Sequence, residues 1–274
     1  MKFIAFTKHF EGKDVAGLIE ALQFIGVEGA DLCVRPGYPV HPENAPTALP
    51  AAARAFAEAG LSIPMITTPG DFTRADLDYA EPLFAACQAA GIGLIKLGYW
   101  HWQPGGDGYW AMVDRVRKDL EGFAALAAKY GVKACIHNHS GHSMGLNSCA
   151  AMNLVKGFDP AYIGIFADPG HLSQVGEPID MALDIVREYL AIVAFKDILR
   201  ERVVVNHQRT WQMRVVPLGE GFVDWRTLLK TLRAMSYNGP ISMHCEYSGV
   251  PVETVIDQAR IDLRFIRGLL AQLE

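Results

Sequence analysis

Residues 132–141, VKACIHNHSG, place two imidazoles two positions apart at the end of an apolar run. Side chains alternate along a strand, so Cys135, His137 and His139 share one face, and Ala134, Ile136 and Asn138 share the other. Imidazoles at a buried strand end are costly unless they bond to something. A hydrogen-bonded pair would explain this run alone, but other apolar runs end in the same way. YIGIFAD ends in Asp168, with His171 three positions on; AIVAFKD ends in Lys196 and Asp197; PISMHCE ends in His244 and Glu246. Arg35 follows GADLCV, Lys96 lies in IGLIKL ahead of Trp100 and His101, and His9 follows the first run, KFIAFT. An imidazole and two carboxylates from separate strands, His137, Asp168 and Glu246, are a donor set for one divalent ion of the Mn, Co, Zn or Mg type. Lys96 and Lys196 supply positive charge for an oxyanion or, once desolvated, an amine nucleophile.

These groups need elements that carry them to one place. Strands are expected at 2–7, 29–34, 61–68, 92–97, 132–138, 162–168, 191–197 and 240–246. Helices are expected at 15–24, 46–60, 76–90, 109–130, 150–155, 178–189 and 224–235, with a last one after Val252. The final helix carries Val252, Ile256, Ala259, Leu263, Ile266 and Leu270 on one stripe. Residues 198–221, with His207 and Trp211, read as a polar, irregular excursion. Short continuous apolar strands are those of a parallel sheet covered on both faces. About eight strands alternating with about eight helices in a chain near 250 residues is a (β/α)8 barrel, here a single domain over 1–274. A doubly wound sheet would need a glycine-rich phosphate turn after the first strand, where Lys8-His9-Phe10-Glu11 stands. In a barrel the ionisable strand ends converge on the carboxyl mouth, and Glu246 facing that mouth puts His244 one layer below.

The chain has 274 residues, half of them hydrophobic, and a formal net charge of −5. An acidic balance without a basic stripe argues against a nucleic-acid surface. Five cysteines without CxxC spacing fit reduced thiols in a cytoplasm. The opening FIAFT run is too short for a signal peptide or a membrane span, so a soluble cytoplasmic protein is expected.

Several segments together resemble the sugar phosphate isomerase/epimerase group of the xylose-isomerase-like barrels. They are LCVRPGYPVHPE (32–43), IHNHSG (136–141), FADPGHL (166–172), AFKD (194–197), PLGEGFVDW (217–225) and ISMHCEY (241–247). The resemblance implies a barrel binding one divalent metal at its carboxyl mouth, with donors from strands five, six, seven and eight. His137, Asp168 and Glu246 match three of these. The strand-seven motif H-x-K-D reads Ala194-Phe195-Lys196-Asp197 here. The fourth donor would then be His207, His139 or water. The resemblance also implies that His171 contacts a substrate hydroxyl or carbonyl, that Arg35 holds an anionic or polyhydroxyl end, and that His139 is an acid or base.

The expected reaction is isomerisation or epimerisation of a sugar or related hydroxy-carbonyl compound. It would be metal-dependent: the divalent ion binds and polarises the carbonyl and neighbouring hydroxyl oxygens, a proton leaves the adjacent carbon to give an enediolate, and it returns elsewhere. Glu246 would be ligand and base, His139 or His171 its partner, and Lys96 and Lys196 charge stabilisers. The Trp100–Trp102 loop with His101 would cover a sugar face, and His207 would reach substrate from the excursion. A lyase or dehydratase on a keto-sugar or keto-polyol would use the same groups. The same residues also admit a Schiff-base aldolase built on Lys96 or Lys196, a catalytically decayed sugar-binding barrel, and a multi-metal endonuclease, which the acidic balance disfavours. The expected partner is a small carbohydrate, not nucleic acid or membrane, and the long 109–130 helix could support a homodimer.

Overall fold

The computed structural model describes residues 1–273. Its eight parallel strands are β1 (Lys2–Phe6), β2 (Gly29–Cys33), β3 (Ser62–Thr67), β4 (Leu94–Lys96), β5 (Lys133–His137), β6 (Ile163–Ala167), β7 (Leu190–Phe195) and β10 (Pro240–Met243). They close into a barrel in the order β1-β10-β7-β6-β5-β4-β3-β2. Helices α1 (Val15–Ile25), α2 (Ala45–Glu58), α3 (Ala80–Ala89), α4 (Tyr109–Tyr130), α5 (Ser148–Val155), α7 (Ile179–Val186), α8 (Trp225–Ala234) and α9 (Val252–Ala271) run outside the strands. A ninth helix, α6 (Pro169–Gln174), directly follows β6 and was not expected from the sequence. Among the described residues no helix is long and apolar enough to cross a membrane.

The period-two pattern sorts the side chains as expected. Ala134 and Ile136 of β5 join the large outer core beneath the helices, whereas Cys135 joins Ile4, Met65, Phe166, Ile192 and Ala194 inside the barrel. That small apolar plug is the barrel floor. Above it comes a polar layer. Asp31, fully buried, accepts hydrogen bonds from Thr67 Oγ1 at 2.6 Å and Ser242 Oγ at 2.8 Å. The mouth groups stand on this layer.

Helix starts follow local chemistry. Asp14, Asn147 and Asp224 each cap a helix by accepting a backbone N–H three residues on. Asp168 does the same for α6, with Pro169 at its first position.

Residues 198–216 are not irregular, and 217–221 beyond them form turns and bends. Asp197–Val205 (β8) and Gln208–Val216 (β9) form a regular antiparallel hairpin in a sheet of its own. Its turn, Asn206-His207, has φ of 49° and 62°. Two consecutive left-handed residues fit the twist of a two-residue hairpin loop, usually through glycine. Apart from Asp197, Ile198 and Val216 at the base, neither strand has a buried residue, so no buried face imposed apolar alternation on this segment.

Candidate active site

A cavity of about 240 Å³ opens at the carboxyl mouth. Arg35, Lys96, His137, His139, His171, Lys196, His244 and Glu246, all at or just beyond strand ends, line it. Asp168 lies beneath, fully buried.

Asp168 is held from both sides. Its backbone N–H donates to Asn138 Oδ1 at 2.6 Å, and Asn138 Nδ2 donates to its carbonyl oxygen at 3.3 Å. Asp168 Oδ1 accepts from His171 N at 3.2 Å, leaving Oδ2 for the site. Oδ2 accepts from His137 Nε2 at 3.2 Å and from Lys196 Nζ at 2.9 Å. The tight D-P-G turn explains Gly170, where a Cβ would lie 2.7 Å from the Lys196 carbonyl oxygen.

His137 uses both ring nitrogens, because Tyr99 Oη donates to Nδ1 at 2.7 Å while Nε2–H points to Asp168. The ring is therefore neutral. Burial drives its pKa down to about 3, against a smaller upward pull from Asp168. His171 is also neutral. Ser140 Oγ donates to Gln174 Oε1 at 2.9 Å, so it accepts from His171 Nδ1–H at 2.8 Å. That assigns the free lone pair of His171 to Nε2, which is buried and has no hydrogen-bond partner. Burial, then the Lys196 ammonium, holds its pKa well below the usual imidazole range. His139 stacks on His171 with centroids 3.9 Å apart, and its Nδ1–H donates to the Ser140 carbonyl at 2.9 Å.

Glu246 lies on the other side of Lys196. Its Oε1 accepts from Lys196 Nζ at 2.9 Å, while Oε2 faces Lys8 Nζ at 3.1 Å and His9 Nε2 at 3.4 Å. His244 sits one layer down, 3.4 Å from Glu246 and 3.5 Å from Asp31, without an aligned hydrogen bond to either. Burial would lower its pKa, but the two carboxylates outweigh that and raise it. Burial would lift the carboxyl pKa values of Asp168 and Glu246, yet Lys196 and the neighbouring imidazoles hold both well below the usual range.

Lys96 is 1% exposed and its Nζ has no hydrogen-bond partner; it lies 3.6 Å above the Tyr99 ring centre. Burial and then Arg35 push its pKa well down. Arg35 spends Nε on the Thr68 carbonyl at 2.9 Å and lines the cavity. Asp197, next to Lys196, points the opposite way, as alternation requires. It accepts from Ile198 N, Gly219 N, Val223 N and Trp225 Nε1 at 2.8–3.1 Å. This ties the hairpin base to the PLGEGFVDW segment and explains Gly221, whose Cβ would fall 2.1 Å from Asp197 Oδ1.

Three expected site residues lie elsewhere. Trp100 turns outward, donates Nε1 to Asp119 on α4 at 2.9 Å, and packs on Phe123. His101 is exposed and pairs in a short bridge with Ser143, and His207 is exposed at the hairpin tip. The cavity's aromatic wall is instead Tyr99 with Phe6 and Phe166. Reading the sequence missed Tyr99 and Ser140 as site residues, and Asp31 as part of the polar layer under His244. A carboxylate inside the apolar run GADLC was the available signal for Asp31.

The donor set for a divalent ion does not assemble. The Lys196 ammonium stands between the two carboxylates, His137 has both nitrogens engaged, and the inward residue of β7 is Ala194. Neither His139 nor His207 supplies the fourth donor, since His139 packs on His171 and His207 is remote. Among the described residues no three His, Cys, Asp or Glu side chains are arranged to hold a metal.

The neutral imidazoles set a pH dependence of stability. His137 and His171 are uncharged in the folded chain and would be charged in the unfolded chain below about pH 6.5. Their folded pKa values are lowered, so their contribution is complete above that pH and is lost as pH falls. Each adds a slope of about 1.4 kcal/mol per pH unit in that window. His244, raised, is charged in both states below about 6.5 and adds no slope there. Urea denaturation at about pH 7 and about pH 5.5 should show unfolding free energy falling by about 2 kcal/mol or more; equal values would mean these rings are already charged in the fold.

An inosose dehydratase from Lactiplantibacillus plantarum is 27% identical over 167 residues, 58% of this chain and 55% of that protein. The chain thus spans only about half, or less, of the curated relatives it matches. Among solved structures, a D-psicose 3-epimerase with D-tagatose from Clostridium cellulolyticum superposes with a TM-score of 0.75 at 15% identity, covering 98% of this chain and 99% of that one. An IolI protein with a bound zinc atom superposes with a TM-score of 0.76, also at 15% identity, covering 97% and 98%. At these identities the superpositions establish the barrel alone. A sequence profile described as xylose isomerase-like TIM barrel matches residues 19–269, nearly the whole closed barrel and every ionisable strand-end group around its mouth except Lys8 and His9, and the chain belongs to that family.

Proposed function

We propose that the protein is a sugar isomerase or epimerase, acting on an aldose, a ketose or a related hydroxy-carbonyl compound by proton transfer through an enediolate. The observation that carries this reading is the free Nε2 of His171, buried at the cavity wall with its tautomer set by Ser140, near the Lys196 ammonium. A lone pair that abstracts a proton and a fixed cation that receives the resulting negative charge are the two requirements of enolisation.

The substrate carbonyl faces the cationic side made by Lys196 and Arg35, with Lys96 beside them. His171 takes the proton from the neighbouring carbon, and His139, stacked on it, is the second imidazole through which that proton returns. Both rings lie on the β5–β6 side, which favours transfer on one face of the enediolate. Glu246 is tied to Lys196, Lys8 and His9, so its role is to hold cations rather than to abstract the proton. Tyr99 forms the wall against which the carbon chain lies.

Dehydration is the second reading, favoured by the 27% identity to an inosose dehydratase. It begins with the same enolisation and then loses a β-hydroxyl. One experiment separates the two. Aldoses, ketoses and keto-polyols are incubated with the protein in D2O and followed by NMR and mass spectrometry. Isomerisation gives a product of equal mass apart from deuterium at the exchanged carbon. Dehydration gives a product lighter by one water. Absence of exchange and of product across the panel would end both.

A further inference from the structure

The cation at the centre of this site is part of the chain. Lys196 Nζ lies 2.9 Å from Asp168 Oδ2 and 2.9 Å from Glu246 Oε1, and the residue is only 3% exposed. A divalent ion held by two carboxylates would stand about 2.0–2.6 Å from their oxygens, in the space the ammonium fills. A second positive centre there would meet the first at contact distance in a poorly solvated pocket. The surroundings offer no replacement donor. His137 spends both ring nitrogens on Tyr99 and Asp168, and Ala194, one layer below Lys196, packs in the apolar floor with Ile4, Cys135 and Phe166.

We propose that Lys196 is the resident cation of the site, doing in this protein what a bound divalent ion would otherwise do, and that the protein binds no such ion there. An ammonium carries three N–H donors. Two go to Asp168 and Glu246, and the third is left for a substrate oxygen in the cavity that Lys196 lines. Two carboxylate oxygens, each 2.9 Å from Nζ, favour the charged ammonium over the amine. The pair of carboxylates also fixes the direction of the side chain, so its positive end need not reorganise when an oxyanion forms. The catalytic half of this proposal rests on the enolisation reading; the metal-free half does not.

The test uses the full chain. Metal content is measured by mass spectrometry of the purified protein, and Tm is measured with EDTA and with added Mn, Co, Zn or Mg. The expected wild-type result is substoichiometric metal and a Tm unmoved by chelator or ion. Lys196→Met leaves the buried Asp168 without its ammonium partner and Glu246 with Lys8 and His9 alone, so its Tm falls, and added Mn or Zn, entering the vacated space between the two carboxylates, restores part of the loss. A wild-type protein carrying one metal per chain, with a Tm lowered by EDTA, would overturn the proposal, and so would a Lys196→Met protein whose Tm ignores every ion. If that variant does not fold, the wild-type measurements still decide. On a substrate found by the panel, Lys196→Arg keeps the charge and retains part of kcat, while a folded Lys196→Met loses about 10²–10³-fold in kcat; unchanged kcat there would remove the catalytic half. A panel without turnover would end the isomerase reading and leave the metal and melting data to judge Lys196.

Discussion

Asp197→Ala is expected to lose at least about 4 kcal/mol of stability and to accumulate largely as insoluble protein. Asp197 is fully buried and serves four donors from four residues: the backbone N–H groups of Ile198, Gly219 and Val223 and the indole N–H of Trp225. Each donor left buried and unsatisfied costs about 1–3 kcal/mol. Three of the four bonds are buried, the one from Gly219 being partly open to solvent, and three such losses approach the whole stability of a typical domain, about 5–15 kcal/mol. The contacts bind the hairpin base, the PLGEGFVDW segment and the start of α8 (Trp225–Ala234) into one unit. Urea denaturation of any soluble fraction gives the size, and Asp197→Asn, which keeps part of the acceptor set, should lose less. A variant within about 1 kcal/mol of wild type would mean that water replaces the carboxylate at no cost.

The second large effect is on turnover. His171→Gln is expected to lower kcat by about 10²–10⁴-fold, the usual contribution of a general base, with the fold retained. Glutamine keeps a polar group near Ser140 but has no basic nitrogen. The wild-type acid limb should also be displaced. A base works deprotonated, and the His171 pKa lies well below 6.5, so kcat/KM should hold as pH falls through 6.5 and decline only further down. A profile that breaks near 6.5 would assign the limb to an ordinary, solvated imidazole. Equal kcat values for His171→Gln and wild type would move the proton transfer to His139.

The barrel was legible because its strands are covered on both faces. KFIAF, GADLC and IGIFA are continuous apolar runs, and helix caps at Asp14 and Asp224 sit where their types place them. Helix α4 (Tyr109–Tyr130) has its expected span, and its carboxyl end was legible because Gly131, with φ of 66°, terminates it. The hairpin of β8 and β9 was not legible, because an exposed two-stranded ribbon has no inside to print on its residues. Asn206-His207 does the work that a glycine would have advertised.

The same distinction governs the site. Residues at or just beyond the ends of barrel strands reach the mouth by geometry, so position alone suffices to bring His137, His171, Lys196 and Glu246 to one cavity. Loop residues answer to partners far along the chain. Trp100 turned outward because Asp119 awaits it on α4, and that left Tyr99 to face the cavity. Residue types also do not disclose who pairs with whom. Two carboxylates and an imidazole read as a metal shell, and nothing in their types discloses that the Lys196 ammonium lies 2.9 Å from both carboxylates.

The hairpin begins at Asp197, immediately after Lys196, and returns Val215 to the cavity wall while its turn stands in solvent. Its base is anchored and its tip stands in solvent, so lengthening, shortening or exchanging the outer rungs would reshape the entrance and leave the other groups that line the cavity untouched. Selectivity for larger or smaller molecules could drift in this protein by trading one ribbon for another, on a chemical engine that stays the same.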